Sequence, residues 1–156
     1  MMGRFGCVSI VLLAIARGQP SPTDPLVGRW ELNVGRSHYG GGATPRIRES
    51  FVCVRIAAGI QCTIDRVMAD GRTSHGGFTA AYDGPGGATF GIADVDHVQL
   101  RRVNDAIADA TFASHGRPVF GYRAVTAANG RSLTIISVNP TTRTVLNSVI
   151  VYDRQW

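Results

Sequence analysis

At 156 residues, with 44% apolar and 17% charged side chains, the chain has the size and composition of one folded domain with its own core, not of a disordered or fibrous protein. Its formal charge of +5 rests on 16 basic residues that are all arginine, and the missing lysine excludes a lysine Schiff base, lysine-bound pyridoxal phosphate and a P-loop lysine. The arginines are scattered singly apart from Arg101-Arg102, so no basic stripe suited to a phosphate backbone is present and nucleic acid is not an expected partner.

The chain opens with Arg4, an apolar run from Cys7 to Ala16 and small residues before Gln19-Pro20-Ser21-Pro22. This is the layout of a signal peptide over residues 1–18, with Ala16-Arg17-Gly18 and Ala14-Ile15-Ala16 as competing cleavage sites. The run is too short for a permanent membrane span and nothing later resembles one, so an exported domain, periplasmic or secreted, is expected. Cleavage would remove Arg4 and Arg17 and lower the formal charge from +5 to +3 (5 minus 2). Residues 19–25, with prolines at 20, 22 and 25, read as an extended leader, and the folded body as residues 26–156.

The first strand is read over Leu26 to Asn33, with Trp30, Leu32 and Val34 on its apolar face. A long irregular stretch from Gly35 to Pro45 follows, containing Tyr39 and Gly40-Gly41-Gly42, of a length common in binding loops and in plain connections alike. From there strands alternate with turn chemistry: 48–56, 60–67, 73–82, 88–92, 97–103, 106–114, 118–126, 132–138 and 144–153. Asn129-Gly130 is the strongest hairpin signal. Nineteen glycines and the lack of any three-turn helix point to an all-β fold. Short connections between successive strands favour a single antiparallel up-and-down barrel of about 8–10 strands, because closure removes the free edges.

Cys53 and Cys62 are the cysteines left after cleavage, and export favours their oxidation. A hairpin turning on Ala57-Ala58 puts them directly opposite, within reach of a disulfide. A turn using Gly59 shifts the register and misplaces them.

Catalytic chemistry finds no anchor. No Gly-X-Ser-X-Gly occurs, and His38, His75, His97 and His115 all fall at turns or strand ends. Glu31 and Glu49 have no spacing that pairs them for glycoside-type acid and base work. Asp94, Asp96 and His97 are the densest polar cluster, but on a strand they would point to opposite faces, so a turn whose aspartates accept backbone hydrogen bonds is the better account and no metal or cofactor is expected. The aromatics say more. Phe78 with Tyr82, and Phe120 with Tyr122, share strand faces, and Tyr39 sits beside the glycine loop; these five are the candidate ligand-binding residues, with core packing as the competing account.

Gly28-Arg29-Trp30 on the first strand resembles the Gly-X-Trp signature of the lipocalin and calycin barrels. Segments such as Ala69-Asp70-Gly71-Arg72, Tyr82-Asp83-Gly84, Val98-Gln99-Leu100-Arg101-Arg102-Val103 and Val151-Tyr152-Asp153-Arg154-Gln155 are similar to those of small exported bacterial lipocalin-like proteins of unassigned role, a resemblance that runs from Leu26 to Gln155. It implies that Gly28, Trp30 and Arg154 form a structural signature at the closed end, with the Arg154 guanidinium over the indole. It departs from typical lipocalins in leaving no room after Arg154 for their C-terminal helix. The resemblance implies an exported monomer that binds a small apolar or amphipathic molecule in the barrel. The alternative from another class is a non-catalytic structural or interaction module of the cell envelope with a filled barrel.

Overall fold

The computed structural model describes residues 24–41 and 44–156; the expected signal peptide, the leader up to residue 23 and Gly42 lie outside them. Ten strands make up the body: β1 (Gly28–Leu32), β2 (Arg46–Ile56), β3 (Gly59–Met68), β4 (Thr73–Ala80), β5 (Gly87–Phe90), β6 (His97–Arg102), β7 (Ile107–Ser114), β8 (Arg117–Thr126), β9 (Ser132–Val138) and β10 (Val145–Gln155). Each pairs antiparallel with the next, and β10 returns to β1, with Trp30 opposite Arg154, so the sheet is a closed up-and-down barrel. Among the described residues the only helical piece is a 3-10 turn, Val34–Arg36, and no helix is long and apolar enough to cross a membrane.

Most strand ends move by one or two residues from the sequence reading, and two of these differences matter for the interior. β1 stops at Leu32, and Val34 is half exposed in the 3-10 turn instead of lining the wall. The cause is Asn33, whose Oδ1 accepts from the Arg36 amide at 3.1 Å while its Nδ2 donates to Asp153 at 2.7 Å. A side chain that hydrogen-bonds its own backbone turns the chain out of the ladder. β4 likewise ends at Ala80, and Tyr82 makes only an isolated parallel bridge to Leu100.

Alternation places Cys53 and Phe51 of β2, Ile60, Cys62 and Ile64 of β3, Phe78 of β4, Val98 and Leu100 of β6, Ala108 and Phe112 of β7 and Ile150 and Tyr152 of β10 inside, all buried. The β2–β3 hairpin turns on Ala57-Ala58, closing with Ile56 opposite Gly59. Cys53 therefore faces Cys62 with Cα atoms 4.1 Å apart, and the two form a disulfide. That separation belongs to a non-hydrogen-bonded antiparallel pair.

One end of the barrel is plugged. Leu26 and Trp30 are buried there, the indole N–H donating to the Leu26 carbonyl at 2.9 Å. The Arg154 guanidinium carbon lies 4.3 Å from the centre of the Trp30 ring, and its Nε and Nη2 donate to the carbonyls of Gly130 (2.7 Å) and Val27 (3.2 Å). Gly28 makes this stack possible. Its φ of +150° suits glycine, and a Cβ would sit 3.1 Å from Arg154 Nη1 and 3.2 Å from the indole.

On the outer wall Asp109 is buried under arginines from three places in the sequence. Arg123 grips it with Nε and Nη2 at 2.8 and 3.0 Å, Arg143 Nη2 lies 3.0 Å away, and Arg101 stands at 3.9 Å. Arg143 arrives by crossing β8 at Gly121, where a Cβ would lie 3.1 Å from its Nη1.

Candidate functional site

The opposite end, which carries the connection from Asn33 to Pro45, leads into an internal cavity. Its walls are mostly apolar, with Phe51, Ile64, Phe78, Phe112, Ile135 and Ile150 among the lining side chains and Leu26 at the bottom. About 90 Å³ of it is open to the centres of water-sized groups, within about 710 Å³ of atom-free space that extends to the mouth. A water needs only about 10–15 Å³ to enter a cavity, so this one has room for several water-sized groups or one small molecule.

Aromatic rings line one side. Phe112 stacks on Phe120 with centroids 4.7 Å apart and meets Phe78 and Tyr122 edge-on at 5.8 and 6.1 Å. Offset and edge-on contacts of this kind suit the ring quadrupoles and leave faces for a flat guest.

A charged cluster sits on the wall near the mouth. Glu49, with 2% of its side chain exposed, accepts from Arg66 Nε at 2.6 Å and lies 3.1 Å from Arg46 Nη1, while the Tyr152 hydroxyl donates a short hydrogen bond to its Oε1. Arg46 Nη1 also donates to the Tyr152 oxygen at 3.3 Å. Strict alternation would put Arg46 and Glu49 on opposite faces. A register shift between Arg46 and Arg48 expels Ile47, 56% exposed, and turns Arg46 inward to join Glu49, which alternation already places on the inner face.

The protonation states follow from burial and neighbours. Burial opposes charge on Arg46, but Glu49 and the phenols of Tyr152, Tyr122 and Tyr39 outweigh it and raise its pKa. Burial, and then Glu49, push Tyr152 well above the ordinary tyrosine range, so it stays a neutral donor. Burial also raises Tyr39, against the opposing field of Arg46. Two arginines and one glutamate leave the cluster with a net charge of about +1 at neutral pH.

Of the five candidate ligand-binding residues, the structure brings Phe78, Phe120 and Tyr122 together in the cavity lining. Tyr39 packs against the core, its ring 5.9 Å from the Arg46 guanidinium carbon, with a buried hydroxyl that has no partner among the described residues. Tyr82 lies elsewhere, at the plugged end, where it donates to Asp24 Oδ1 at 2.7 Å and the same oxygen accepts from the Leu26 amide at 3.0 Å. Burial first, then the Asp24 bond, raises its pKa. Its role there is to hold the Asp24 turn that seats Leu26.

Sequence reasoning passed over Arg46, Glu49, Arg66, Phe112 and Tyr152. Glu49 shares its strand face with Phe51 and Cys53, and Arg66 with Ile60, Cys62 and Ile64, so period-two counting would have found both. Asp94, Asp96 and His97 do not converge: Asp96 accepts from the His115 amide at 3.1 Å and His97 Nε2 contacts the Pro85 carbonyl at 3.0 Å. Among the described residues no three His, Cys, Asp or Glu side chains could hold a metal ion.

Fold and site together define a closed ten-stranded antiparallel barrel with an apolar internal cavity and a charged cluster near its mouth. No family model, no curated protein and no solved structure matches the chain.

Proposed function

We propose that this is an exported, monomeric lipocalin-like protein that holds a small apolar or amphipathic molecule in its barrel. The observation that carries the reading is the cavity, apolar and aromatic-lined in a barrel plugged at one end. Barrels of similar strand number either fill their interior with side chains or leave room for one small ligand. The stack of Arg154 on Trp30 beside Gly28 supports the lipocalin and calycin resemblance. The Cys53–Cys62 disulfide supports an oxidising compartment and hence export.

The test is a titration with benzamide, a flat neutral molecule of about the size the cavity admits, followed by side-chain NMR shifts. Saturable shifts confined to the cavity wall are expected, and Ala110→Phe, which fills the cavity from β7, abolishes them. A folded parent protein with no saturable shifts would leave the filled scaffold of the cell envelope as the better reading.

A further inference from the structure

The cavity's charges are not balanced by the protein alone. Glu49 has both carboxylate oxygens engaged, Oε1 by Tyr152 and Arg46 and Oε2 by Arg66 and Arg46, so it has no call on a further cation. The arginines are less committed. Among the described residues, the hydrogen bonds and ion pairs of Arg46 run from Nη1 and those of Arg66 from Nε, although both side chains line the cavity. A guanidinium carries five N–H donors, so most of theirs are left to solvent or a guest. A net positive charge in an apolar enclosure with spare donors is stabilised by one arriving anion, because opposite charges attract more strongly where water is displaced.

From this arrangement we infer that the cavity selects small amphipathic monoanions, a flat or short-chain carboxylate whose acid group meets Arg46 and Arg66 while its apolar body lies against Phe78, Phe112 and Phe120. The inference rests on the cavity being a ligand site and adds the class of ligand. Size follows from the modest volume of the cavity, which suits a benzoate-like acid and excludes long-chain lipids from full burial. Tyr39 packs against Arg46 and is held there by its neighbours. The His38 amide donates to the Val149 carbonyl at 2.7 Å, the Val149 amide returns to His38 at 2.9 Å, and the Gly40 amide donates to Ser148 Oγ at 3.0 Å. The segment around the phenol is thus sewn to β10, which keeps the ring against Arg46 and lowers the cost of ordering that side chain on binding.

Benzoate and benzamide have nearly the same shape and differ in charge, so calorimetric or NMR titrations of both separate the two readings. In the parent protein at about 0.1 M salt, benzoate is expected to bind at least about tenfold more tightly than benzamide. Arg66→Gln, which cancels the surplus charge, should bring the two affinities together. Glu49→Gln, which raises the surplus, should tighten benzoate by about tenfold while shifting benzamide little. Because Arg66→Gln and Glu49→Gln move affinity in opposite directions, loss of folding in one does not remove the test. Benzamide binding as well as benzoate would overturn the inference and leave the cavity reading standing. Benzoate binding that persists in Ala110→Phe would place the anion outside the barrel, on the Arg101, Arg123 and Arg143 surface for instance, and would overturn it too. Binding of neither would remove both.

Discussion

Replacing Glu49 by glutamine tests how the cavity is held together. Glu49 is 2% exposed and, among the described residues, is the only acidic side chain that pairs with Arg46 or Arg66, whose side chains are 14% and 23% exposed. Glutamine keeps the shape and an acceptor for Tyr152 but leaves two partly buried guanidiniums facing each other. Removing one member of a buried ion network costs about 3–5 kcal/mol, since the surviving charges lose compensation and keep their desolvation penalty. Residual water at the arginines puts the expected loss at the lower end, about 3 kcal/mol, or about 10 °C in Tm for a domain of this size. Urea unfolding followed by the fluorescence of the buried Trp30 measures it, the midpoint falling at unchanged slope. The triple change Arg46→Met, Glu49→Leu and Arg66→Met, made in a Tyr152→Phe background so that no buried hydroxyl loses its partners, should be within about 1 kcal/mol of that background or more stable, because it removes all three charges at similar volume. A loss below about 1 kcal/mol for Glu49→Gln would refute the reasoning, as would a triple change that costs more against its background than the single costs against the parent.

Three further outcomes follow from the fold. Replacing Cys53 and Cys62 by alanine should cost about 2.5 kcal/mol, the loop-closure value for a separation of nine residues, seen as a urea midpoint that no longer responds to reductant. Burial opposes ionisation of Asp109, but hydrogen bonds from Arg123 and the charges of Arg143 and Arg123 outweigh it and hold its pKa below the ordinary range. With the folded value depressed, its stabilisation is present above the unfolded pKa of about 4 and is lost as pH falls below that through the folded value. Asp109→Asn should therefore be less stable at pH 7 and show a flatter acid limb in urea melts, and parallel acid limbs for the two proteins would contradict this. Gly28→Ala should destabilise by about 1–3 kcal/mol, since φ of +150° is strained for alanine and its methyl meets the Arg154–Trp30 stack. Thermal melts of Gly28→Ala and the parent give the comparison.

The sequence by itself determined the all-β class, the succession of hairpins and the closed up-and-down barrel. Those depend on short-range signals: turn residues such as Ala57-Ala58 and Asn129-Gly130, and apolar residues at every second position, which leave successive strands little choice but to pair with their neighbours. The Cys53–Cys62 pairing was legible for the same reason once the turn was placed. Tertiary structure alone decided the site. Arg46 turns inward because of a bulge that no local propensity marks, and Asp109 collects Arg101, Arg123 and Arg143 only because β6, β7, β8 and the connection before β10 meet on one outer wall. Tyr82 shows the same limit. It shares the alternation of Phe78, yet β4 ends at Ala80 and its ring goes to the plug instead of the cavity. Periodicity assigns a face of a strand; only closure of the barrel establishes which residues that face meets and at which end the interior stays open.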